Sequence, residues 1–190
     1  MKGNEMYIVL LLVIKIVVAT DLDCGVVPLS QWGSTPLNNP VNLSKPVHIV
    51  VIQHTVTGQC FADESCVKLL NNVRKQHVDM LEFSDIGNSF YIGSNGKVYE
   101  GSGWHVGAHS KGLNSKSIGL SFIGDFREES PTEQALQAAK DFLDCSVKNH
   151  NLSDDYDLVG HGQVASTISP GAKLQSLIET WPHWRQNISM

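Results

Sequence analysis

The chain has 190 residues, 42% of them hydrophobic, with 16 glycines, 7 prolines and a formal net charge of −5. That length supports one domain with a packed core and leaves two full domains cramped. The composition is that of a globular chain without repeats, and the acidic balance argues against nucleic acid as a partner.

In chain order, Lys2 precedes an apolar run from Ile8 to Ile14 that resumes after Lys15 and ends at Ala19-Thr20. This predicts a signal peptide over 1–20, cleaved near Ala19 or Thr20, and a secreted single domain over 21–190. Lys15 interrupts the run, whereas a membrane span needs roughly 20 apolar residues, so no membrane anchor is expected. Loss of Lys2, Glu5 and Lys15 with the leader takes the formal charge to −6. Export would place Cys24, Cys60, Cys66 and Cys145 in an oxidising compartment, where four cysteines make two disulfides in one of three connectivities. Cys60 and Cys66 are close enough to bridge locally, which leaves Cys24 with Cys145. These spacings lack the CxxC pairs of a structural zinc site. Asn42, Asn151 and Asn187 each open an Asn-X-Ser glycosylation sequon.

Val47 to Ile52 is a short β-branched run of the kind that forms a buried strand, with His54 at its end. Asp63 to Met80 predicts an amphipathic helix, with Asp63 as cap and Val67, Leu70, Val73 and Val78 on its apolar face. Phe90-Tyr91-Ile92 and Val98-Tyr99-Glu100 flank an Asn95-Gly96 turn, a strong hairpin signal. Ile118 to Ile123 reads as another buried strand. Ser130-Pro131-Thr132-Glu133 has the form of a capping box opening a helix to about Asn149, with Leu136, Ala139, Leu143 and Val147 on one face. A last helix is expected from near Gly171 to before Pro182. Interleaved strands and helices give an α/β or α+β class with a central sheet covered by helices.

Eight histidines are the natural candidates for zinc chemistry. His54 ends a strand, His109 lies in a glycine-rich loop and His161 sits in Val159-Gly160-His161-Gly162, and none belongs to an HExxH pair. Val51-Ile52-Gln53-His54-Thr55, Asp85-Ile86-Gly87-Asn88-Ser89-Phe90, Val98 to Trp104, Gly107-Ala108-His109, Gly160-His161 and Ser169-Pro170-Gly171 follow one another in order. Together they resemble the peptidoglycan recognition protein domain, itself similar to phage-type N-acetylmuramoyl-L-alanine amidases. The likeness spans about Cys24 to Trp184, and the short form with its Cys60–Cys66 pair is similar to the SA type of insects.

The resemblance implies an α/β fold, with a mixed central sheet flanked by about three helices and a cleft for the muramyl sugar and stem peptide. In amidase members zinc is held by a histidine at position 53, a histidine at 161 and a cysteine at 169, and a tyrosine at 88 assists the attacked carbonyl. This chain has Gln53, His161, Ser169 and Asn88, so neither zinc nor any other cofactor is expected and the chain is read as a non-enzyme. A serine-type hydrolase built on Ser169 or Ser102 with His161 or His54 is the alternative, and a residual zinc amidase the weaker one. The implied ligand-binding positions are His54, Thr55, His77, Phe83, Asn88, Trp104, His109 and Asn114. Relatives that select diaminopimelate carry an arginine where Ser102 stands and Gly-Trp in place of Glu82-Phe83, so a lysine-type preference is expected. The loop from Trp104 to Gly107 is one residue shorter than in such relatives. The implied partners are bacterial peptidoglycan and a protein co-receptor of an immune signalling cascade.

Overall fold

A computed structural model describes residues 23–188; the expected signal peptide lies outside them. The chain runs β1 (Val26–Val27), α1 (Leu29–Trp32), β2 (Val47–His54), α2 (Asp63–Asp79), β3 (Phe90–Ile92), β4 (Val98–Glu100), β5 (Ser117–Phe122), α3 (Glu133–Lys148), β6 (Leu152–Gly160), a 3-10 turn (His161–Gln163) and α4 (Ala172–Ile178). The strands form one mixed sheet in the order β1-β4-β3-β5-β2-β6. Only β3 and β4 pair antiparallel, across the turn at Asn95-Gly96, where Gly96 takes a φ of 75° that side chains disfavour. Four α-helices accompany the sheet rather than about three, because the four-residue α1 has too few apolar positions to register as a periodic signal.

Strand alternation divides the core. Val50, Ile52, Ile118, Leu120 and Phe122 face α3 and α4, where they meet Leu136, Ala139, Phe142, Leu143, Leu174 and Ile178. Tyr91 and Tyr99 face the opposite way, against Leu29, Trp32, Leu70 and Val73 of α1 and α2. Ile49, Val51 and Val159 pack with Leu113. Full burial of each such aliphatic or aromatic side chain is worth about 1.5–3 kcal/mol. Val78, expected on the apolar face of α2, is exposed in the last turn of the helix.

Both expected caps are displaced. Helix α2 is preceded by Ala62, with Ser65 Oγ bonded to the Ala62 carbonyl at 2.7 Å. Asp63 instead accepts from Lys97 Nζ at 2.6 Å and Asn95 Nδ2 at 2.9 Å, tying the helix to the hairpin turn. Helix α3 is capped by Thr132, two residues beyond Ser130. The Thr132 hydroxyl accepts from Ala135 N and donates to the Ser94 carbonyl, so that cap is chosen by the hairpin it must also hold. Disulfides Cys24–Cys145 and Cys60–Cys66 are formed. No helix among the described residues is long and apolar enough to cross a membrane.

Candidate ligand-binding site

Beside α2, at one face of the sheet, a polar floor is assembled from strand ends and two loops. Gln53 on β2 donates its side-chain amide to the His109 carbonyl at 2.8 Å. At the start of β5, Ser117 donates to the Leu113 carbonyl at 2.8 Å and so has a lone pair free for His109 Nε2, also at 2.8 Å. That fixes the proton of neutral His109 on Nε2 and leaves Nδ1 an acceptor, buried and without a partner. Asn88 adds a second unpartnered acceptor, Oδ1. The two residues crowd the same glycine: a Cβ on Gly119 would lie 2.5 Å from Asn88 Oδ1 and 2.6 Å from His109 Cγ.

Helix α2 fixes the height of this floor. His77 Nδ1 accepts the Gly87 N–H at 2.9 Å, and the Gly87 carbonyl accepts the Ala108 N–H at 2.8 Å, which brings the His109 loop down beside Asn88. Phe83 packs on His77 at a tilt, with ring centroids 5.4 Å apart. Behind the loop, Ser102 lines a recess of about 210 Å3 together with residues 37–41 and 84–86, and its buried hydroxyl has no partner. His161 is half-buried at the end of β6, close enough to His54 and His109 for its charge to disfavour theirs.

All four of these histidines are held neutral. Desolvation lowers the His109 pKa to about 4, with His161 adding to it. Desolvation also lowers His54, His77 and His161, and at His54 it outweighs the raising effect of Asp125. The floor therefore presents neutral donors and acceptors, a chemistry suited to amides and hydroxyls.

Three of the expected positions lie elsewhere. His54, one residue on from Gln53, points to the α3 side of the sheet, where its Nδ1 accepts the Phe126 N–H at 3.1 Å and its side chain is 0% exposed. Trp104 packs on the same side against Phe90 and Phe142, with Lys45 Nζ 5.1 Å over its ring. Asn114 accepts the Ser110 N–H at 2.7 Å and closes a turn. Thr55 is engaged with Thr57 and the Gly124 N–H, at the rim, and Glu82 is exposed just past α2. Ser169 Oγ accepts the backbone N–H of His54 at 3.2 Å. Sequence reasoning missed Gln53 and Ser117 as holders of His109, and Tyr91 beneath Asn88, since each acts through a partner distant in the chain.

The chain and its fold match a known domain. Residues 43–172 match the family model described as N-acetylmuramoyl-L-alanine amidase. A peptidoglycan recognition protein of Trichoplusia ni is 48% identical over 87% of this chain and 91% of its own length. Drosophila peptidoglycan recognition protein SA superposes with a TM-score of 0.83 at 44% identity, covering 85% of this chain and 94% of that one. Peptidoglycan recognition protein LE, solved with tracheal cytotoxin, a monomeric diaminopimelic acid-type peptidoglycan, superposes with a TM-score of 0.83 at 39% identity over 85% of this chain and 96% of its own. An amidase-type domain is thus the class, and within it the chain belongs to the peptidoglycan recognition protein family.

Proposed function

We propose that the chain is a secreted innate-immune receptor that binds bacterial peptidoglycan, favours the lysine type and has no zinc amidase activity. The observation that carries this is the neutral floor of Asn88 and His109, whose buried acceptors have no partner within the protein. The N–H groups of a muropeptide supply the missing donors. A family relative, protein LE, holds a peptidoglycan fragment in the same fold.

The donor set at the family's metal position does not fit zinc. Gln53 offers a neutral amide already spent on the His109 carbonyl, and Ser169 offers a hydroxyl that takes the His54 N–H. His161 alone is a good ligand there. A serine hydrolase finds no support either. Ser169 meets a backbone N–H and not an imidazole, while the hydroxyl that does meet one, Ser117, is fully buried and committed to Leu113. Ser102 in place of an arginine removes the bidentate partner of a diaminopimelate carboxylate, and exposed Glu82 offers a charge for the lysine ammonium. Signalling then passes through a protein co-receptor, with clustering along the polymer raising avidity. In an exported protein its sequons are glycan acceptors; Asn42 and Asn187 are exposed, and Asn151 is half-buried with Oδ1 bonded to Lys45.

The test is to incubate the secreted protein with lysine-type and diaminopimelate-type peptidoglycan, with zinc or chelator, measuring pull-down and released fragments by mass spectrometry. Retention without release, insensitive to chelator and stronger on the lysine type, is expected. Chelator-sensitive release of stem peptide would sink the proposal, and the Q53H/S169C double variant should gain zinc, read by elemental analysis, where the parent does not.

A further inference from the structure

Tyr91 is a fully buried phenol at the centre of β3, and its hydroxyl meets the peptide N–H of Asn88 at 3.3 Å. A floor residue whose main-chain N–H is satisfied by a side chain from beneath is held from below, and the rest of Asn88 is held as tightly. Its carbonyl accepts the Ser102 N–H at 3.0 Å. Gly101 closes the other side, since a Cβ there would sit 2.2 Å from the Asn88 carbonyl oxygen and 2.8 Å from Tyr91 Cε2. With the main chain of Asn88 held on both sides, its side chain places a buried, unpartnered Oδ1 above Gly119.

We infer that Tyr91 is a positioning residue for ligand recognition: its hydroxyl anchors Asn88 so that the amide presents its free acceptor beside His109 Nδ1, as a receptor for an N–H donor of the bound muropeptide. Asn and Gln side chains normally turn to satisfy themselves, and an acceptor buried without a partner persists only when the residue that carries it is held in place. The phenol holds its main chain, through the Asn88 N–H. Burial pushes its ionisation far above the ordinary tyrosine range, so it stays a neutral hydroxyl at any pH the protein meets. The inference rests on the reading of this floor as the peptidoglycan-binding surface.

The experiment is a double-mutant cycle on muramyl-tripeptide affinity by calorimetry, using Y91F, N88A and Y91F/N88A, each checked for fold by near-ultraviolet circular dichroism. Y91F keeps the ring in the core and should lower affinity about fivefold, the scale of one neutral hydrogen bond. In the N88A background the same change should do nothing further. N88A retains the backbone N–H that Tyr91 also holds, so general loosening of the floor would cost affinity equally in both backgrounds, and that result would overturn the inference. Unchanged binding by Y91F would overturn it as well while leaving the peptidoglycan reading intact. Failure of the parent protein to bind any muropeptide overturns both together.

Discussion

Gly119 is the residue on which the floor depends most directly, because any side chain there enters the space of Asn88 and His109. Gly119→Ala should cost about 1–3 kcal/mol, as overpacking does, and weaken muropeptide binding by more than that loss explains. Thermal unfolding and calorimetry on the same sample separate the two effects. The neutral histidines make a second prediction. His109 has a folded pKa of about 4 against 6.5 for the free side chain, so over that interval the unfolded chain binds more protons than the folded one. Stability contributed by the neutral imidazole is complete above 6.5 and is lost as the pH falls toward 4, with His54, His77 and His161 acting in the same direction. Urea titrations across that window should show the midpoint falling with acidity, and an H109Q variant should have a shallower slope.

Among the elements, α2 is paired with the loop that follows it through a largely buried ion pair, which also grips the segment before β2. Arg74 Nε bonds Asp85 Oδ1 at 2.7 Å, its two Nη groups reach the Thr35 and Pro36 carbonyls, and Asp85 also accepts the Ile86 and Asn38 N–H groups. Burial would raise the Asp85 carboxyl, but these donors outweigh it and hold it below the usual range. Removing one partner strands the other charge, so Arg74→Ala should cost about 3–5 kcal/mol, measurable by denaturant unfolding. The strands that escaped sequence reading are the two edges, β1 and β6. A two-residue strand has no period, and Ser153-Asp154-Asp155 interrupts the apolar pattern of β6 because the edge of a sheet faces water. The central strands were all legible, β2 and β5 from their largely apolar stretches and β3 and β4 from the Asn95-Gly96 turn between them.

For the molecule as a whole, the Cys24–Cys145 bridge spans 121 residues and ties the segment before β1 to α3. Its removal by paired Ser substitution should cost about 4–5 kcal/mol on the loop-entropy scale. The Cys60–Cys66 bridge closes a separation of 6 residues, and its loss should cost about 2 kcal/mol. Comparing the two pairs by reversible unfolding checks that order. An equal effect would mean that native packing around the bridges, not loop entropy, sets their value.

Sequence alone determined the α/β class, the central strands, both long helices and the order of motifs on which the family resemblance rests, because periodicity and motif order are written in one dimension. It also placed Gln53 and His54 on opposite faces, which follows from the period of a strand. Only the tertiary structure decided which of the polar residues share the floor. His54, Trp104 and Asn114 lie away from it, and Tyr91, Gln53 and Ser117 support it from beneath or beside. The reason is physical: a hydrogen-bond role depends on which buried atoms remain unpaired, and that is fixed by neighbours brought from up to 115 residues away, as Ser169 is to His54.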